Sequence, residues 1–338
     1  VGLSINRRGS RAGVTPLSAP PPRRTHTWRR GILATLIAAA VVLPLSAAAR
    51  PEIPAPVPAT LPPLTASTLD TAYAANRANA AEASRMAAAH GDTHRAAADR
   101  SLAAPTRHLL RFDGRGEGQV TEVFGDLPHA DHIAVLVPGS DTSLDTYDRF
   151  RAEATALQHE LNRTDPRTAV IAWLGYQTPD TISTTVTTTG RADQAAPRLR
   201  QFIRRLRGIV GPHSTVSLLC HSYGSVVCAR AATDLDATDL VLLGSPGTGA
   251  GTAAALHTRA RVWAARGTDD WVADVPHIKT DLFGTTVGFG TDPMSPSFGA
   301  NRFEAGDGGH SDYFDPGSAS LTNLARIVLG ETSEVTRA

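Results

Sequence analysis

The pentapeptide Cys220-His221-Ser222-Tyr223-Gly224 follows the apolar run 216–219 directly and leads straight into a helix-like stretch, residues 225–232. A strand, a one-residue corner and a helix hold a serine clear of the sheet, with its hydroxyl open to both a base and a substrate carbonyl. This is the form of a nucleophile elbow, G-x-S-x-G, with Cys220 in place of the first glycine. The position demands a small side chain because the helix folds back over the strand, so Cys is tolerable where Leu would not be. Alone, the pentapeptide is a modest signal.

A serine hydroxyl is barely ionised at neutral pH and attacks only when a histidine takes its proton and a carboxylate fixes that histidine. Both partners are expected downstream, on loops after later strands. Residues 261–265 read as a strand that empties into Arg266-Gly267-Thr268-Asp269-Asp270-Trp271-Val272, placing two adjacent carboxylates at a sheet edge. Further on, the glycine turn Gly306-Asp307-Gly308-Gly309-His310 carries a single histidine. The order is therefore Ser222, Asp269 or Asp270, His310, and the spacing Gly-x-x-Asp-x-apolar in 267–272 favours Asp270. Charge building on a carbonyl oxygen also needs backbone N–H donors. The amide of Tyr223 is one candidate. The amide of Ser140, in Pro138-Gly139-Ser140-Asp141 after the apolar run 133–137, is the other, with Asp141 behind it.

The segments VLVPGSDTS (135–143), VIAWLGY (170–176), CHSYGSVV (220–227), LVLLGSPGTG (240–249), DPMSPSFGA (292–300) and GHSDYF (309–314) resemble an α/β-hydrolase family common in high-GC Gram-positive bacteria and catalogued as a domain of unknown function. The resemblance runs from about residue 109 to about residue 329. It implies a doubly wound, mostly parallel sheet with helices on both faces, and a site at Ser222, Asp270 and His310. It implies no particular substrate.

The residues that must position this site alternate between short apolar runs and helical periods. Strands are predicted at 120–124, 133–137, 169–173, 216–219, 240–243 and 262–265, and less distinctly near Phe303. Phe150, Leu157 and Leu161 share one helical face, and Leu199, Phe202, Ile203 and Leu206 share another. Leu321, Leu324 and Val328 mark a last helix, with Ser318 as N-cap and Gly330 just past its end. Such alternation gives a parallel sheet covered on both faces.

Composition divides the chain into a catalytic domain, 106–330, with a long preface and a short tail, 331–338. Residues 1–50 hold eight arginines and no Asp or Glu, so residues 51–338 carry 1 − 8 = −7, with His counted neutral. The basic character belongs to the preface, which argues against nucleic acid as a partner. Arg29-Arg30 before the apolar stretch 31–49, ending in Ala47-Ala48-Ala49, reads as an export signal of twin-arginine type, with an uncleaved membrane anchor as its rival. Either places the enzyme outside the cytoplasmic membrane. Six prolines in residues 51–63 mark 51–64 as a stiff linker. The alanine-rich segment 65–105, broken at Gly91-Asp92, reads as two helices serving as a spacer or as an arm on the domain.

The best functional reading is an exported serine hydrolase acting on a small-molecule or lipid ester, without cofactor. Its alternative is a non-catalytic relative that uses the same cleft for binding. The turn 244–251 imitates a dinucleotide-binding loop, but Thr252 stands where the third glycine belongs, leaving a nicotinamide-linked oxidoreductase a remote third. Neither H-E-x-x-H nor C-x-x-C supports a metal site. The arginines at 198, 200, 204, 205 and 207 flank an apolar helical stripe and read as a solvated face. The two cysteines, Cys220 and Cys228, are expected close together, as buried free thiols that fill space rather than as a disulfide.

Overall fold

Strand residues in the central sheet alternate between two cores, and that alternation shows why both faces are covered. In β3 (His132–Val137), Ile133, Val135 and Val137 enter one core while Ala134 and Leu136 enter the other. β4 (Thr168–Leu174) divides in the same way and is buried along its whole length. This near-continuous apolar run is what a parallel strand between two helical layers requires. The structure is a computed structural model that describes residues 1–2 and 53–338, apart from 182–187, 276–279, 283, 284 and 288. The apolar stretch 31–49 lies outside the described residues. Among the described residues, no helix is long and apolar enough to cross a membrane.

In chain order the main elements are α1 (Leu69–His90), α2 (Thr93–Leu102), β1 (His108–Asp113), β2 (Gln119–Gly125), β3, α3 (Tyr147–Asn162), β4, α4 (Gly190–Arg207), β5 (Thr215–His221), α5 (Tyr223–Ala231), β6 (Asp239–Leu243) and β7 (Arg261–Ala265). A small hairpin of β8 (Thr280–Leu282) and β9 (Thr285–Val287), then β10 (Asn301–Arg302) and α6 (Ala319–Leu329), complete them. The large sheet has eight strands in the order β1-β2-β4-β3-β5-β6-β7-β10. β1, β2 and β4 pair antiparallel, and every pairing from β4 to β10 is parallel. This is the doubly wound, mostly parallel sheet expected from the sequence. The chain leaves β3 for β4 on one side and returns to β5 on the other. The crevice beyond the carboxyl ends of β3 and β5 is therefore the natural place for a ligand.

All six strands predicted without reservation are present, and the fainter one near Phe303 is the two-residue β10. The caps of α6 are those expected, with the Ser318 hydroxyl accepting from the Leu321 amide and Gly330 at φ 80°. β1 was not anticipated, because it is an edge strand interrupted by a shift of register between Leu109 and Arg111. Asn76 of α1 repairs that irregularity. Its side-chain amide donates to Leu109 O at 2.9 Å and accepts from the Phe112 amide at 3.2 Å.

α1 lies on the domain through small residues, with Ala72, Ala80, Ala83 and Ala87 all fully buried. α2 is fastened by Arg95, whose guanidinium forks onto Asp145 at 2.7 and 2.9 Å and also reaches the carbonyls of Gly114 and Gly116. Near the other end of the chain, the Glu304 amide donates to Thr336 O and Val335 is buried.

The expectation of free thiols is overturned, because Cys220 and Cys228 form a disulfide with Cα atoms 6.4 Å apart. Cys220 points to the same face of β5 as Val216 and Leu218, the face on which α5 packs. Cys228 is on the buried side of that helix, so the two sulfurs meet across the strand–helix contact. Alkylating the denatured protein without reductant is expected to add no label, and reduction beforehand should expose two thiols. Reduction should also cost about 2 kcal/mol of stability in a denaturant titration, the amount a loop this short contributes.

Candidate active site

Ser222 occupies the single residue between β5 and α5 and has φ 51°, ψ −124°. A non-glycine residue rarely takes this conformation, and its cost of about 1–3 kcal/mol must be met by the surroundings. Two glycines make the corner sterically open. A Cβ on Gly224 would lie 2.4 Å from Val137 O, and one on Gly139 would lie 2.7 Å from the Ser222 Cβ. The Ser222 amide donates to Leu243 O at 2.8 Å, and the Ser225 hydroxyl donates to Ser222 O at 2.6 Å. The disulfide joins Cys220, two residues before the corner, to Cys228 in the helix after it.

The structure brings Ser222, His310 and Asp270 into one hydrogen-bonded line. Ser222 Oγ is 2.8 Å from His310 Nε2, and His310 Nδ1 is 2.8 Å from Asp270 Oδ1. With Nδ1–H donating to the carboxylate, Nε2 is left to accept from the serine. Of the two adjacent candidates, Asp270 is 2 % exposed and meets the imidazole, whereas Asp269 is exposed to solvent. The acid and histidine loops touch at Gly267, where a Cβ would lie 2.0 Å from Gly308 O.

Asp270 also accepts from the Val272 amide at 2.9 Å and, through Oδ2, from the Tyr313 hydroxyl at 2.5 Å. Burial pushes the carboxyl up, but the donors His310, Tyr313 and Val272 outweigh it and hold Asp270 below the usual carboxylate range. Burial, then the Asp270 carboxylate, raise the Tyr313 phenol, which stays a donor. Gly244, at φ 51°, leaves room for this cluster, since a Cβ there would lie 2.7 Å from Asp270 Oδ2 and 3.0 Å from the Tyr313 hydroxyl. The turn that resembles a dinucleotide loop is thus filled at its first glycine by the carboxylate and the phenol.

His221 acts on the same histidine from beneath. Its Nε2 donates to the carbonyl of His310 at 2.6 Å, which fixes the Nε2–H tautomer. Burial first, then the neighbouring His310 ring, lower its pKa to about 3, so His221 remains neutral. Neither His221 nor Tyr313 was singled out from sequence. Both are ordinary residue types there, and their roles arise from loops 40 to 90 positions apart in the chain.

Ser140 and Tyr223 line the same cavity as Ser222, and among the described residues neither backbone amide has an intramolecular acceptor. The Tyr223 amide opens α5, where the first-turn N–H groups carry the positive end of the helix dipole. The Ser140 loop is braced by Tyr176, whose hydroxyl donates to Pro138 O at 2.6 Å. Asp141, at φ 56°, braces it further by accepting from the Thr181 amide and hydroxyl. The cavity is about 500 Å³, and Phe150, Pro246, Val275, Phe289 and the half-exposed Trp271 form much of its apolar wall. Among the described residues, no group of His, Cys, Asp and Glu is arranged to hold a metal ion.

Residues 113–280 match a family model described as Alpha/beta hydrolase. Residues 113–280 thus carry the α/β-hydrolase family pattern, on the mostly parallel sheet that this fold requires. An uncharacterized protein of Mycobacterium tuberculosis, found in two strains, is 32% identical over 255 residues that take in 65% of this chain and 38% of the relative. The chain thus spans under half the length of the curated relatives it matches, and their origin accords with the high-GC Gram-positive resemblance. Among solved structures, esterase PE8 is 16% identical, with a TM-score of 0.42, over 62% of this chain and 96% of that one. An α/β serine hydrolase without a lid, from Xanthomonas campestris, is 16% identical, with a TM-score of 0.41, over 68% and 95%.

Tyr313→Phe removes one donor from a buried carboxylate. It is expected to cost about 1–3 kcal/mol at neutral pH. Asp270 is depressed in the folded state, so its stabilisation is present above the usual carboxylate range and is lost as pH falls through the folded value. The deficit of the variant, measured by denaturant titration, should therefore shrink in acid. A deficit that stayed constant across this range would mean that the phenol does not act through Asp270.

Proposed function

We propose that this protein is a serine hydrolase that cleaves carboxylic esters by acyl transfer, with Ser222 as nucleophile, His310 as general base and acid, and Asp270 as the group that orients His310. The observation that carries this reading is the unbroken line from Ser222 Oγ through His310 to Asp270, opening into the largely apolar cavity. As Ser222 Oγ attacks the carbonyl carbon, its proton passes to Nε2 of His310, and the imidazolium is stabilised by ionised Asp270. The carbonyl oxygen gains charge and is met by the amides of Tyr223 and Ser140. His310 then gives its proton to the departing alcohol, leaving the acyl group on Ser222. Water, deprotonated by His310, releases the acid by the same steps.

A binding module on the same fold is the competing reading, yet binding gives no reason to hold a strained serine, a tautomerically fixed histidine and a triply donated carboxylate in register. Export is also part of the proposal, supported by Arg29-Arg30 and the apolar stretch 31–49.

A fluorophosphonate is expected to label Ser222, and Ser222→Ala and His310→Ala should abolish labelling and lower turnover about 10³-fold or more. Asp270→Asn should lose most activity and Asp269→Asn should keep most of it. Activity should decline in acid, since only the neutral imidazole accepts the serine proton. Equal labelling of the parent and Ser222→Ala would refute the assignment.

Replacing Arg29 and Arg30 with lysines should hold the protein inside the cytoplasmic membrane, as read by cell fractionation. Undiminished export would exclude the twin-arginine route.

A further inference from the structure

The cavity wall made by α3 carries two ionisable side chains that acyl transfer does not use. Arg149 and Glu153 are one helical turn apart and both line the cavity that holds Ser222 and His310. Among the described residues Arg149 has neither a hydrogen bond nor an ion pair, and Glu153 has no hydrogen bond. Arg149 is close enough to Ser222's neighbour His221 to oppose its protonation. The other ionisable groups of the wall are spoken for. Asp141 is bound by Thr181, His221 by the His310 carbonyl, and His310 by Ser222 and Asp270.

We infer that Arg149 and Glu153 set the specificity of this site, selecting an ester that carries a free carboxylate on the part of the molecule lying along α3. The inference rests on the acyl-transfer reading above. A guanidinium offers two parallel donors to a carboxylate, and Arg149, exposed to solvent at the cavity wall, keeps both of its own unpaired among the described residues. Glu153 is the group that would otherwise neutralise Arg149. Burial raises its carboxyl to about 8, Arg149 acting against the rise and Asp315, in the segment after His310, adding to it. Below that pH Glu153 is uncharged and leaves the guanidinium to the substrate. Its protonated carboxyl can in addition donate a hydrogen bond to the incoming carboxylate. Above that pH the Glu153 carboxylate competes for Arg149 and repels a negative substrate.

The test uses the full chain and two matched pairs of aryl esters. In one pair the acyl chain ends in a methyl or a carboxylate, as in a pentanoate and a hemiglutarate. In the other, a butyrate ester has a phenol without or with a carboxyl group. At pH 7 the carboxylate member of at least one pair should have a kcat/KM up to about 5-fold higher than its neutral partner, through a lower KM, the gain expected of an ion pair made by an exposed guanidinium. Arg149→Gln should bring that ratio to about one, Arg149→Lys should keep part of it, and Arg149→Glu should shift preference to an ester bearing a quaternary ammonium group. From pH 7 to pH 9 the ratio should fall in the parent and stay level in Glu153→Gln. Thermal melting identifies any variant that fails to fold, and the neutral ester is the internal reference for the rest.

If Ser222 is labelled by a fluorophosphonate but neither carboxylate ester is preferred, or if the preference survives Arg149→Gln, the inference falls and the acyl-transfer reading stands. If Ser222 takes no label, both fall.

Discussion

The backbone of Ser222 is the constraint around which the rest is built. Holding one non-glycine residue at φ 51° costs about 1–3 kcal/mol, and the corner persists because its neighbours permit nothing else. β5 is hydrogen-bonded on both sides by β3 and β6, so it cannot shift to relieve the serine. Gly224 lets the first turn of α5 lie directly against the carbonyls of Val137 and Pro138, so the serine is pressed into the corner. The Cys220–Cys228 bond then ties the strand to the helix across the corner itself. Cys at the first elbow position is thus both small enough for the close approach and chemically suited to fasten it.

A second level of organisation is electrostatic. A carboxylate as deeply buried as Asp270 would ordinarily be driven towards its neutral form, which could not stabilise an imidazolium. Three donors, one from the acid's own turn and two from the histidine segment, reverse that balance. The same loops are brought together by glycines at 244 and 267, where a side chain would collide with the acid cluster or with the Gly308 carbonyl. His221 completes the arrangement from below, since a neutral ring donating to the His310 carbonyl fixes the histidine loop without adding a charge near the base. Backbone position and protonation state are therefore set by the same contacts.

The helices before the sheet belong to this economy of rigid parts. Asn76 and Arg95 each satisfy backbone groups that the irregular β1 edge and the loop after it leave open. Arg95 also holds Asp145, one helical turn ahead of Arg149 and two ahead of Glu153. The wall of the cavity is thus anchored to a segment that composition alone marks only as alanine-rich.

Local patterns in the chain were enough to determine the alternation of strands and helices, the serine corner, and the order of serine, acid and histidine. Apolar periodicity and glycine placement act over a few residues, so Val135, Leu218 and Leu242 mark their strands whatever lies around them. Sequence spacing also favoured Asp270 over Asp269, but only the fold shows which carboxylate turns inward to the imidazole. The disulfide could not be read in advance, because residue separation says nothing about the direction of the Cβ bonds; the pleat of β5 and the buried side of α5 decided it. β1 was hidden for a related reason, as its bulge breaks the alternation and is satisfied by Asn76 from a distant helix. Tyr313, His221 and Tyr176 carry no signature of their own. Their roles are hydrogen bonds between segments far apart in the chain, and such bonds exist only once the tertiary structure has placed donor and acceptor within about 3 Å.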